Sequence, residues 1–431
     1  MKRYIQPPRE QWPDLLKRPE LDTSRLQATV SAVLQEVRTR GDAAVRHYTL
    51  QFDKVDLAAS AVSQAEWMQA GDMISPELRA AIGTAYQNIR TFHARQHQEP
   101  EWIETMPGVR CFRKSVGIEK VGIYIPGGTA PLFSTVLMLG VPAQLAGCRE
   151  VVLCSPPGKD GSIHPAILYA AKLAGVTQAF KVGGVQAIGA LAYGTESIPK
   201  VDKIFGPGNQ YVTAAKQMVN QAGIAIDMPA GPSEVMVCAD ETAHPEFVAA
   251  DLLSQAEHGA DSQVVLVVFD TKTLDQVETA LNRQLETLPR KHFAAAALEH
   301  SVAIVVADRA AAIELINTYA PEHLILSVAH PGALAEGVVN AGSVFLGHYT
   351  PESVGDYASG TNHTLPTNGY ARAYSGVSLD SFVKKITFQE LTPAGLQTLG
   401  PTVEVMAAAE ELEAHKLAVS IRLQYLNTQQ P

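Results

Sequence analysis

The stretch VGIYIPGGT at residues 121–129 shows the pattern that decides the fold. It is a short apolar run that ends in proline and glycine and leads towards a segment of helical length. Three further runs of this kind follow, namely EVVLC (150–154), AFKV (179–182) and KIFG (203–206). Helix-length segments lie between the runs, at residues 134–146, 165–174 and 185–193. Apolar strands that alternate with helices predict an α/β fold with a parallel sheet.

The same alternation resumes after GPS at residues 231–233. Residues 245–258 predict a helix, and three apolar runs predict strands, EVMVC (234–238), QVVLVVF (263–269) and VAIVV (302–306). These runs have little polar alternation, which is typical of sheets covered on both faces. A chain of 431 residues also exceeds the size at which a single hydrophobic core stops growing. We therefore expect two α/β sheet units.

Helical patterns flank the two sheet units. Apolar residues recur at helical spacing between residues 24 and 94, and Ser75 followed by Pro76 is typical of a helix N-cap and first helical position. After Gly376 the pattern is helical again, through residues 401–426. These last segments are too short to fold alone, so we expect them to dock on another subunit or domain.

The bulk composition limits the function and the location. The formal net charge of −10 and the lack of any run of Lys or Arg argue against nucleic acid as a partner. The four cysteines show no C-x-x-C spacing, which fits buried thiols in a reducing compartment. No stretch resembles a signal peptide or reaches the roughly 20 apolar residues that cross a bilayer. We therefore expect a cytoplasmic protein with no membrane partner.

Three glycine-bearing loops could bind a dinucleotide, although none has the usual G-x-G-x-x-G spacing. They are IPGGT (125–129), VGGVQ (182–186) and FGPGN (205–209). Each follows an apparent strand and leads towards a helix, so its backbone N–H groups and the helix dipole could accept phosphate oxygens. The alternative is that the glycines only permit tight strand-to-helix turns.

Gln255 and His258 lie in the last turn of the predicted helix, where a spacing of three residues places them on one face. A neutral imidazole at a helix end is a good zinc ligand, and a glutamine oxygen is a less usual one. The alternative is a surface histidine that interacts with the helix dipole. The polar stretch 349–370 is predicted to be a long loop, either functional or merely solvated.

Two further positions carry groups suited to metal binding or acid–base chemistry. His415 lies in AAEELEAHK (408–416), predicted to be a helix, where an ion pair with Glu411 is the alternative to a metal role. Glu322 and His323 precede the strand-like LIL at residues 324–326. A carboxylate beside an imidazole can divide acid–base work if the fold brings both to one substrate. The alternative is a pair of exposed polar residues at the start of a strand.

Six motifs, in unbroken order between about residue 43 and residue 422, resemble the histidinol dehydrogenase family. They are YIPGG (124–128), FGPGN (205–209), AGPSE (230–234), LSQAEHG (253–259), APEHL (320–324) and SGTNHTLP (359–366). Motifs in this number and order are very specific. The resemblance implies a zinc-dependent, NAD-linked, four-electron oxidation of L-histidinol through L-histidinal to L-histidine, the last steps of histidine biosynthesis.

The resemblance also implies the site residues. One zinc per subunit would be held by Gln255, His258, Asp356 and His415, which would also lie against the substrate. Further substrate contacts would come from Ser233, His323, His363 and Glu410. Cofactor contacts would come from Tyr124, Gln186 and Asn209. His323 would act as the base in both oxidations, because an imidazole titrates near neutrality, and Glu322 would activate water for the aldehyde step.

The implied fold has two incomplete Rossmann-like parallel-sheet domains and small helical terminal segments in an intertwined homodimer. The expected divisions are an N-terminal segment at 1–22, a discontinuous first domain at 23–123 and 235–375, a second domain at 124–234, and a C-terminal helical dimerisation segment at 376–431. The resemblance further implies that His415 comes from the partner subunit.

Three other functions fit parts of the sequence. A related zinc-dependent dehydrogenase of another small polar alcohol, such as a sulfonated diol, has a substrate without an imidazole, and the presence of His363 and Glu410 argues against it. A zinc hydrolase would use Glu322 to activate water and would bind no cofactor. A noncatalytic dimer with a structural zinc would have its site closed by Cys and His, where this chain offers a glutamine.

Overall fold

The computed structural model of the protein describes residues 1–19, 24–127, 130–229 and 231–428. Residues 128, 129 and 230 of the predicted motifs, and the predicted boundary between residues 22 and 23, lie outside these ranges. The chain divides into two compact units, Met1–Gln96 with Ile118–Phe382, and His97–Gly117 with Val383–Pro431. Within the described ranges, no helix is long and apolar enough to cross a membrane.

The strands are β1 (Lys2–Ile5), β2 (Ile103–Met106), β3 (Val109–Gly117), β4 (Lys120–Tyr124), β5 (Glu150–Ser155), β6 (Gln178–Lys181), β7 (Lys203–Phe205), β8 (Ala225–Ile226), β9 (Glu234–Ala239), β10 (Gln263–Val268), β11 (Val302–Val305), β12 (His323–Ser327), β13 (Ser343–Leu346) and β14 (Val383–Leu391). Seven of them, β4 to β7 and β9 to β11, coincide within two residues with the apolar runs that predicted strands.

The α-helices are α1 (Trp12–Leu15), α2 (Ser24–Arg40), α3 (Asp42–Tyr48), α4 (Gln64–Gln69), α5 (Pro76–Ala94), α6 (Phe133–Ala146), α7 (Pro165–Leu173), α8 (Gly184–Tyr193), α9 (Gln210–Gln221), α10 (Pro245–Ala256), α11 (Thr271–Thr287), α12 (Lys291–Glu299), α13 (Arg309–Tyr319), α14 (Pro331–Ala335), α15 (Glu352–Tyr357), α16 (Pro393–Ala409) and α17 (Glu413–Thr428). Ser75 caps α5 as predicted, because its side chain accepts a hydrogen bond from the Leu78 N–H.

The first compact unit contains two parallel sheets with the same strand order. The five-stranded sheet runs β6-β5-β4-β7-β8, and the six-stranded sheet runs β1-β11-β10-β9-β12-β13. Apart from the added edge strand β1, each sheet follows the order third, second, first, fourth, fifth along the chain. This is the order of a Rossmann fold without its sixth strand. The prediction of an α/β fold with two incomplete Rossmann-like sheets is therefore confirmed.

Helices cover both faces of each sheet, as the unbroken apolar runs predicted. Along β9, Val235 and Val237 belong to the core under α10, α11 and α12, whereas Met236 and Cys238 face the core under α1, α13 and α14. The five-stranded sheet is covered by α5, α6 and α7 on one face and by α2, α3, α8 and α9 on the other. Burial on both faces is what allows these strands to lack polar alternation.

The helices of residues 24–94 pack on the five-stranded sheet. Val30 and Val37 of α2 share a core with Tyr124, and Ile82 and Ile89 of α5 share a core with the opposite face of the same sheet. The resemblance implies instead that these helices belong to the same domain as residues 235–375. The discontinuous domain limits remain a prediction, and this packing gives the helices a different neighbour from the one expected.

The second compact unit corrects the prediction that residues 376–431 are helical. Residues Val383–Leu391 form β14, which pairs antiparallel with β3 along its whole length. The pairing stacks Phe388 on Phe112 with ring centroids 4.6 Å apart. The ring centroids of Trp102, in the same unit, and Phe112 are 4.2 Å apart. Cross-strand aromatic contacts of this kind stabilise a sheet, and a helical pattern search does not detect them.

The four cysteines are free thiols, as predicted, but only two of them are fully buried. Cys154 and Cys238 lie within strands of the two parallel sheets, whereas Cys111 and Cys148 are half-buried. Burial raises the pKa of the Cys148 thiol to about 11. Cys154 and Cys238 are therefore small core residues, and the prediction of buried thiols is wrong for Cys111 and Cys148.

Gly206 holds the end of β4 and the end of β7 close together. Its φ angle is +126°, and a Cβ at this position would overlap the carbonyl oxygen of Tyr124. Only glycine combines this backbone conformation with so close an approach. The loop at residues 205–209 therefore depends on this one glycine for its path.

We predict that Gly206→Ala destabilises the protein far more than Gly223→Ala. Gly223 also has a positive φ angle, +96°, but a Cβ there meets no described atom within 4 Å. The Gly223 variant should lose about 1–3 kcal/mol of unfolding free energy through backbone strain alone. The Gly206 variant should lose more than about 4 kcal/mol because overlap adds to strain. Urea unfolding of both variants measures the difference, and equal losses would contradict this account.

Candidate active site

The residues predicted to contact a cofactor lie at the carboxyl ends of strands in the five-stranded sheet. Tyr124 is the last residue of β4, and Asn209 follows its neighbour β7. The strand order reverses between β4 and β7, and ligands of open α/β sheets bind at such a point. Gln186 lies in the first turn of α8, which follows β6. The fold therefore brings the three residues to one edge of one sheet.

The local contacts of these three residues differ. The Tyr124 hydroxyl accepts a hydrogen bond of 3.1 Å from the Gly184 N–H, and burial raises the pKa of Tyr124 to about 12. Asn209 caps α9, because its side-chain oxygen accepts from the N–H groups of Tyr211 and Val212. Gln186 is buried, and neither its amide nitrogen nor its amide oxygen has a hydrogen-bond partner among the described residues. A buried amide whose hydrogen-bonding groups are not satisfied by the protein is suited to bind a polar ligand.

The acid–base candidates lie at the amino edge of the six-stranded sheet. His323 is the first residue of β12 and pairs in register with Val235 of β9, and Glu322 immediately precedes it. Ser233 immediately precedes β9, the strand next to β12. Parallel pairing therefore places the residues that precede both strands side by side.

Glu322 and His323 form a buried pair. Their side chains are 8% and 4% exposed, and Glu322 Oε2 lies 3.6 Å from His323 Nδ1. Glu322 Oε2 accepts a hydrogen bond of 2.9 Å from the Glu234 N–H, and His323 Nδ1 lies 3.2 Å from the Glu234 carbonyl oxygen. A carbonyl only accepts, so the proton of this hydrogen bond belongs to Nδ1. The alternative of two exposed polar residues at the start of a strand is therefore wrong.

Gln255 and His258 lie close to this pair, although the predicted helix ends earlier than expected. α10 ends at Ala256, and His258 lies in the following turn, held by a hydrogen bond from its N–H to the Gln255 carbonyl. Gln255 Nε2 lies 3.5 Å from His323 Nδ1, and His258 Nδ1 lies 3.3 Å from the Ser233 hydroxyl. The tight turn brings both side chains to the same edge of the sheet without a continuous helix.

Asp356 and His363 approach the pair from the stretch 349–370. The prediction of one long loop is wrong, because residues Glu352–Tyr357 form α15. Asp356 Oδ1 lies 3.3 Å from His323 Nε2, and the Asp356 carbonyl accepts from His363 Nδ1 at 2.8 Å. His363 Nε2 lies 3.1 Å from the hydroxyl of Thr135, in the first turn of α6. This contact connects the amino edge of one sheet to the carboxyl edge of the other.

The same stretch is attached to the five-stranded sheet at further points. The Asn362 side chain donates to the Met138 carbonyl at 2.6 Å, and the Asn88 side chain donates to the Ala358 carbonyl at 2.9 Å. These amide hydrogen bonds reach α6 and α5, which cover the five-stranded sheet. The two sheets of the first unit are therefore held together next to the candidate site.

The charges around His323 favour its protonated form. Burial lowers the pKa of His323, but the carboxylates of Glu322 and Asp356 outweigh it and hold that pKa well above its usual range. Burial also opposes ionisation of Asp356, but hydrogen bonding to His323 lowers its pKa overall. His258 is exposed to solvent, but desolvation by the surrounding groups lowers its pKa, and burial lowers that of His363, so both shifts favour the neutral imidazole. The site therefore combines carboxylates with neutral imidazoles, a donor set that suits a divalent cation.

Sequence reasoning missed a second buried carboxyl group beside the site. Glu352 of α15 is 1% exposed and accepts a hydrogen bond from the Ser254 hydroxyl, next to Gln255. Burial raises the pKa of Glu352 to about 8, and it raises the pKa of Asp251 in α10 to about 7. Glu352 precedes Asp356 by four residues, the spacing of one helix face, but a prediction of loop concealed that signal.

His415 and Glu410 belong to the other compact unit. α16 ends at Ala409 and α17 begins at Glu413, so the predicted continuous helix at 408–416 is wrong. Glu411 lies between the two helices with a φ angle of +60°, which removes it from the helix that carries His415. The predicted alternative of an ion pair along one helix therefore loses its geometric basis. Both His415 and Glu410 are exposed.

The fold has two α/β sheets, and its candidate site contains a buried glutamate–histidine pair beside histidine, aspartate and glutamine side chains. These features define an enzyme. The histidinol dehydrogenase family model matches residues 16–423. The chain is 62% identical to histidinol dehydrogenase of Bacteroides thetaiotaomicron over 426 residues, which cover 99% of this chain and all of that protein. It is 54% identical to the chloroplastic histidinol dehydrogenase of Arabidopsis thaliana, covering 96% of this chain and 90% of that protein.

Similarity to a solved structure agrees with these matches. The crystal structure of histidinol dehydrogenase from Elizabethkingia anophelis superposes with a TM-score of 0.97 at 56% identity and covers 99% of both chains. The chain belongs to the histidinol dehydrogenase family, and it is therefore an oxidoreductase. The resemblance inferred from the six motifs is confirmed.

Proposed function

We propose that this enzyme oxidises L-histidinol through L-histidinal to L-histidine, with NAD as the hydride acceptor and zinc bound beside the acid–base pair. The observation that carries the proposal is the buried Glu322–His323 pair, which lies within 3.5 Å of Gln255 and of Asp356 in a chain of this family. An acid–base pair in contact with possible metal ligands can act on a substrate held by the metal.

The side chains of the first unit fit part of a zinc site. The Gln255 amide oxygen is buried and has no hydrogen-bond partner among the described residues, so it is available to a cation. In this proposal zinc is held by Gln255, His258 and Asp356 together with the partner subunit's His415. No group of three His, Cys, Asp or Glu suited to a metal occurs within the described ranges, and the proposed set needs an amide and a second subunit. Bound zinc would orient the imidazole and amino nitrogens of the substrate.

The carboxyl edge of the five-stranded sheet fits a nicotinamide cofactor. The buried Gln186 amide has no hydrogen-bond partner in the part of the chain that the structure describes, and it lies close in sequence to the Gly184 N–H that donates to the Tyr124 hydroxyl. We propose that Tyr124, Gln186 and Asn209 contact NAD. NAD would accept one hydride in each oxidation step. The hydrogen bond between His363 and Thr135 joins this edge to the acid–base pair, so substrate and cofactor can meet between the two sheets.

His323 takes the proton in the first oxidation, and it must be neutral to do so. Binding of Asp356 to zinc would draw away one of the carboxylates that raise the pKa of His323. Its Nδ1 donates to the Glu234 carbonyl, so Nε2 is the ring nitrogen that can accept the hydroxyl proton of the substrate. As the hydride leaves the carbon, the C–O bond becomes a carbonyl and the O–H proton passes to His323. Ser233 and His363, together with the partner subunit's Glu410, are proposed to hold the substrate in this position.

Glu322 acts in the second oxidation. It removes a proton from water as the water adds to the aldehyde carbon, and His323 returns the proton of the first step to the aldehyde oxygen. The product is a hydrated aldehyde with two hydroxyl groups, and His323 is neutral again. His323 then accepts a proton from one of the two hydroxyl groups as the second hydride leaves, and the product is the carboxylic acid. Both residues are buried, so the aldehyde is held away from bulk water between the two steps.

A homodimer would complete this site. Every described residue of α17 is at least partly exposed in the single chain. Its large apolar side chains include Leu417, Ile421 and Tyr425, which are 58%, 50% and 64% exposed. An apolar surface of this kind on a terminal helix supports a subunit contact. We propose that residues 376–431 dimerise and that the partner subunit's His415 and the partner subunit's Glu410 enter the site.

The stoichiometry of the reaction tests the proposed function. With excess NAD, about two NADH should form per L-histidinol, because oxidation of an alcohol to an acid releases two hydrides. A chelator should abolish NADH formation and added zinc should restore it. One NADH per histidinol with free aldehyde in solution would contradict the two-step reaction. No NADH from zinc-loaded protein would overturn the proposed substrate.

Two variants separate the roles of the acid–base pair. Glu322→Gln should slow oxidation of the aldehyde about 100-fold and leave oxidation of the alcohol nearly intact, because only the aldehyde step needs activated water. His323→Asn should slow both steps. Rates measured separately with L-histidinol and L-histidinal test this, with Glu336→Gln as the control at an exposed glutamate. Equal losses in both steps of the Glu322 variant would refute the division of roles.

Mixed dimers test whether His415 acts across the subunit contact. His258→Asn and His415→Asn should each be inactive alone. If the proposal holds, a dimer of one chain of each kind contains one intact site, and random mixing should recover about a quarter of wild-type activity. If His258 and His415 of the same chain act together, the mixture should stay inactive. Wild-type protein taken through the same dissociation and mixing controls for losses in the procedure.

A further inference from the structure

Arg18 of the N-terminal segment reaches the start of β9 in the six-stranded sheet. Its Nη2 donates to Glu234 Oε1 at 2.9 Å and to the Tyr319 carbonyl at 2.8 Å, and its Nε donates to Glu234 Oε2. The Glu234 side chain is 2% exposed and the Arg18 side chain is 17% exposed. Arg18 and Glu234 therefore form a buried, two-pronged ion pair.

Tyr319 and Gln263 complete the surroundings of this ion pair. The Arg18 guanidinium lies 3.9 Å from the centre of the Tyr319 ring. The Tyr319 hydroxyl lies 3.2 Å from Glu234 Oε2 and 2.9 Å from Gln263 Oε1. Gln263 Nε2 in turn donates to the Lys17 carbonyl at 3.0 Å. Residues 17 and 18 are thus attached to the first residues of both β9 and β10.

The backbone of Glu234 contacts both members of the acid–base pair. Its N–H donates to Glu322 Oε2 at 2.9 Å, and its carbonyl accepts from His323 Nδ1 at 3.2 Å. The first contact orients the carboxylate and the second selects the ring nitrogen that carries the proton. Glu234 is the first residue of β9. It pairs with Gln263 of β10, but the register between β9 and β12 begins only at the next residue. Its side chain supplies the remaining restraint.

Loss of Arg18 would leave a carboxylate buried without a counter-ion. Burial raises the pKa of Glu234, and the hydrogen bond from Arg18 opposes that effect. An unpaired buried carboxylate is strongly destabilised, so Glu234 would turn towards solvent or take up a proton. Either change alters the position of the backbone at residue 234. A small displacement there moves both Glu322 and His323 away from their present geometry.

We propose that Arg18 is a positioning residue for the Glu322–His323 pair and that it acts through Glu234. The proposal rests on the acid–base roles given above under the proposed function. It assigns the N-terminal segment a part in the chemical step, because the segment carries the counter-ion of the residue that orients the pair. Arg18 itself touches neither Glu322 nor His323 by any hydrogen bond within the described residues.

Steady-state kinetics of four variants test the proposal. Arg18→Met should lower kcat about 10- to 100-fold for both L-histidinol and L-histidinal, with KM changed less than about threefold, because the substrate contacts remain. Adding Glu234→Gln to Arg18→Met removes the unpaired charge and should recover most of kcat. Arg18→Lys, which keeps the charge without the fork, should fall between wild type and Arg18→Met. Arg3→Met is the control, since Arg3 lies on β1 of the same sheet and pairs with Asp275 and Glu278 of α11, away from the acid–base pair.

Full kcat in Arg18→Met would overturn the proposal. So would a loss that Glu234→Gln does not restore, or an equal loss in Arg3→Met. If Arg18→Met does not fold, Arg18→Lys carries the same test. An inactive wild-type enzyme would overturn the proposed function instead. Crystal structures of the variants test the positioning role independently. The hydrogen bond from the Glu234 N–H to Glu322 should be broken in Arg18→Met or Arg18→Lys. An unchanged hydrogen bond would refute the positioning role.

Discussion

Parallel pairing of β9 with β12 is the constraint on which the candidate site depends. The register places His323 opposite Val235, so the residues before both strands meet at one edge of the sheet. Hydrogen bonds from the backbone of Glu234 then hold Glu322 and His323. A register shift of one residue would turn every side chain of β12 to the other face. The buried apolar faces of the sheet prevent such a shift, so the hydrophobic core determines the geometry of the polar site.

The concentration of buried charge at that edge has a physical cost that the fold offsets by pairing. The carboxylates of Glu322 and Asp356 outweigh the desolvation of His323 and raise its pKa. For Glu352, burial outweighs the attraction to His323 and the hydrogen bond from Ser254, and its pKa rises to about 8. Arg18 is likewise the counter-ion of the buried Glu234 carboxylate. The site is thus a set of ionisable groups in a region of low dielectric, where an added cation or substrate changes their protonation strongly.

Much of the fold could be predicted because its signals are local. Apolar runs predicted β4 and β9 within two residues, since strands buried on both faces contain little else. The errors have one cause in common, which is contact with distant residues. β14 forms because β3 lies beside it, and α15 forms within a polar stretch that composition alone describes as loop. The packing of α2 and α5 on the five-stranded sheet also depends on surfaces that no local pattern reveals.

The sequence by itself determined the α/β class, the two incomplete Rossmann-like sheets that its family motifs imply, and the identity of the chemical groups. Periodicity and motif order are properties of neighbouring residues, so they can be read without coordinates. Only the tertiary structure decided that Glu322 and His323 are buried, that Asp356 faces His323 Nε2, and that residue 18 supports residue 234. These contacts join residues up to 216 positions apart. Contacts between residues so far apart in the sequence depend on how the whole core packs, and a local sequence pattern contains no information about that packing.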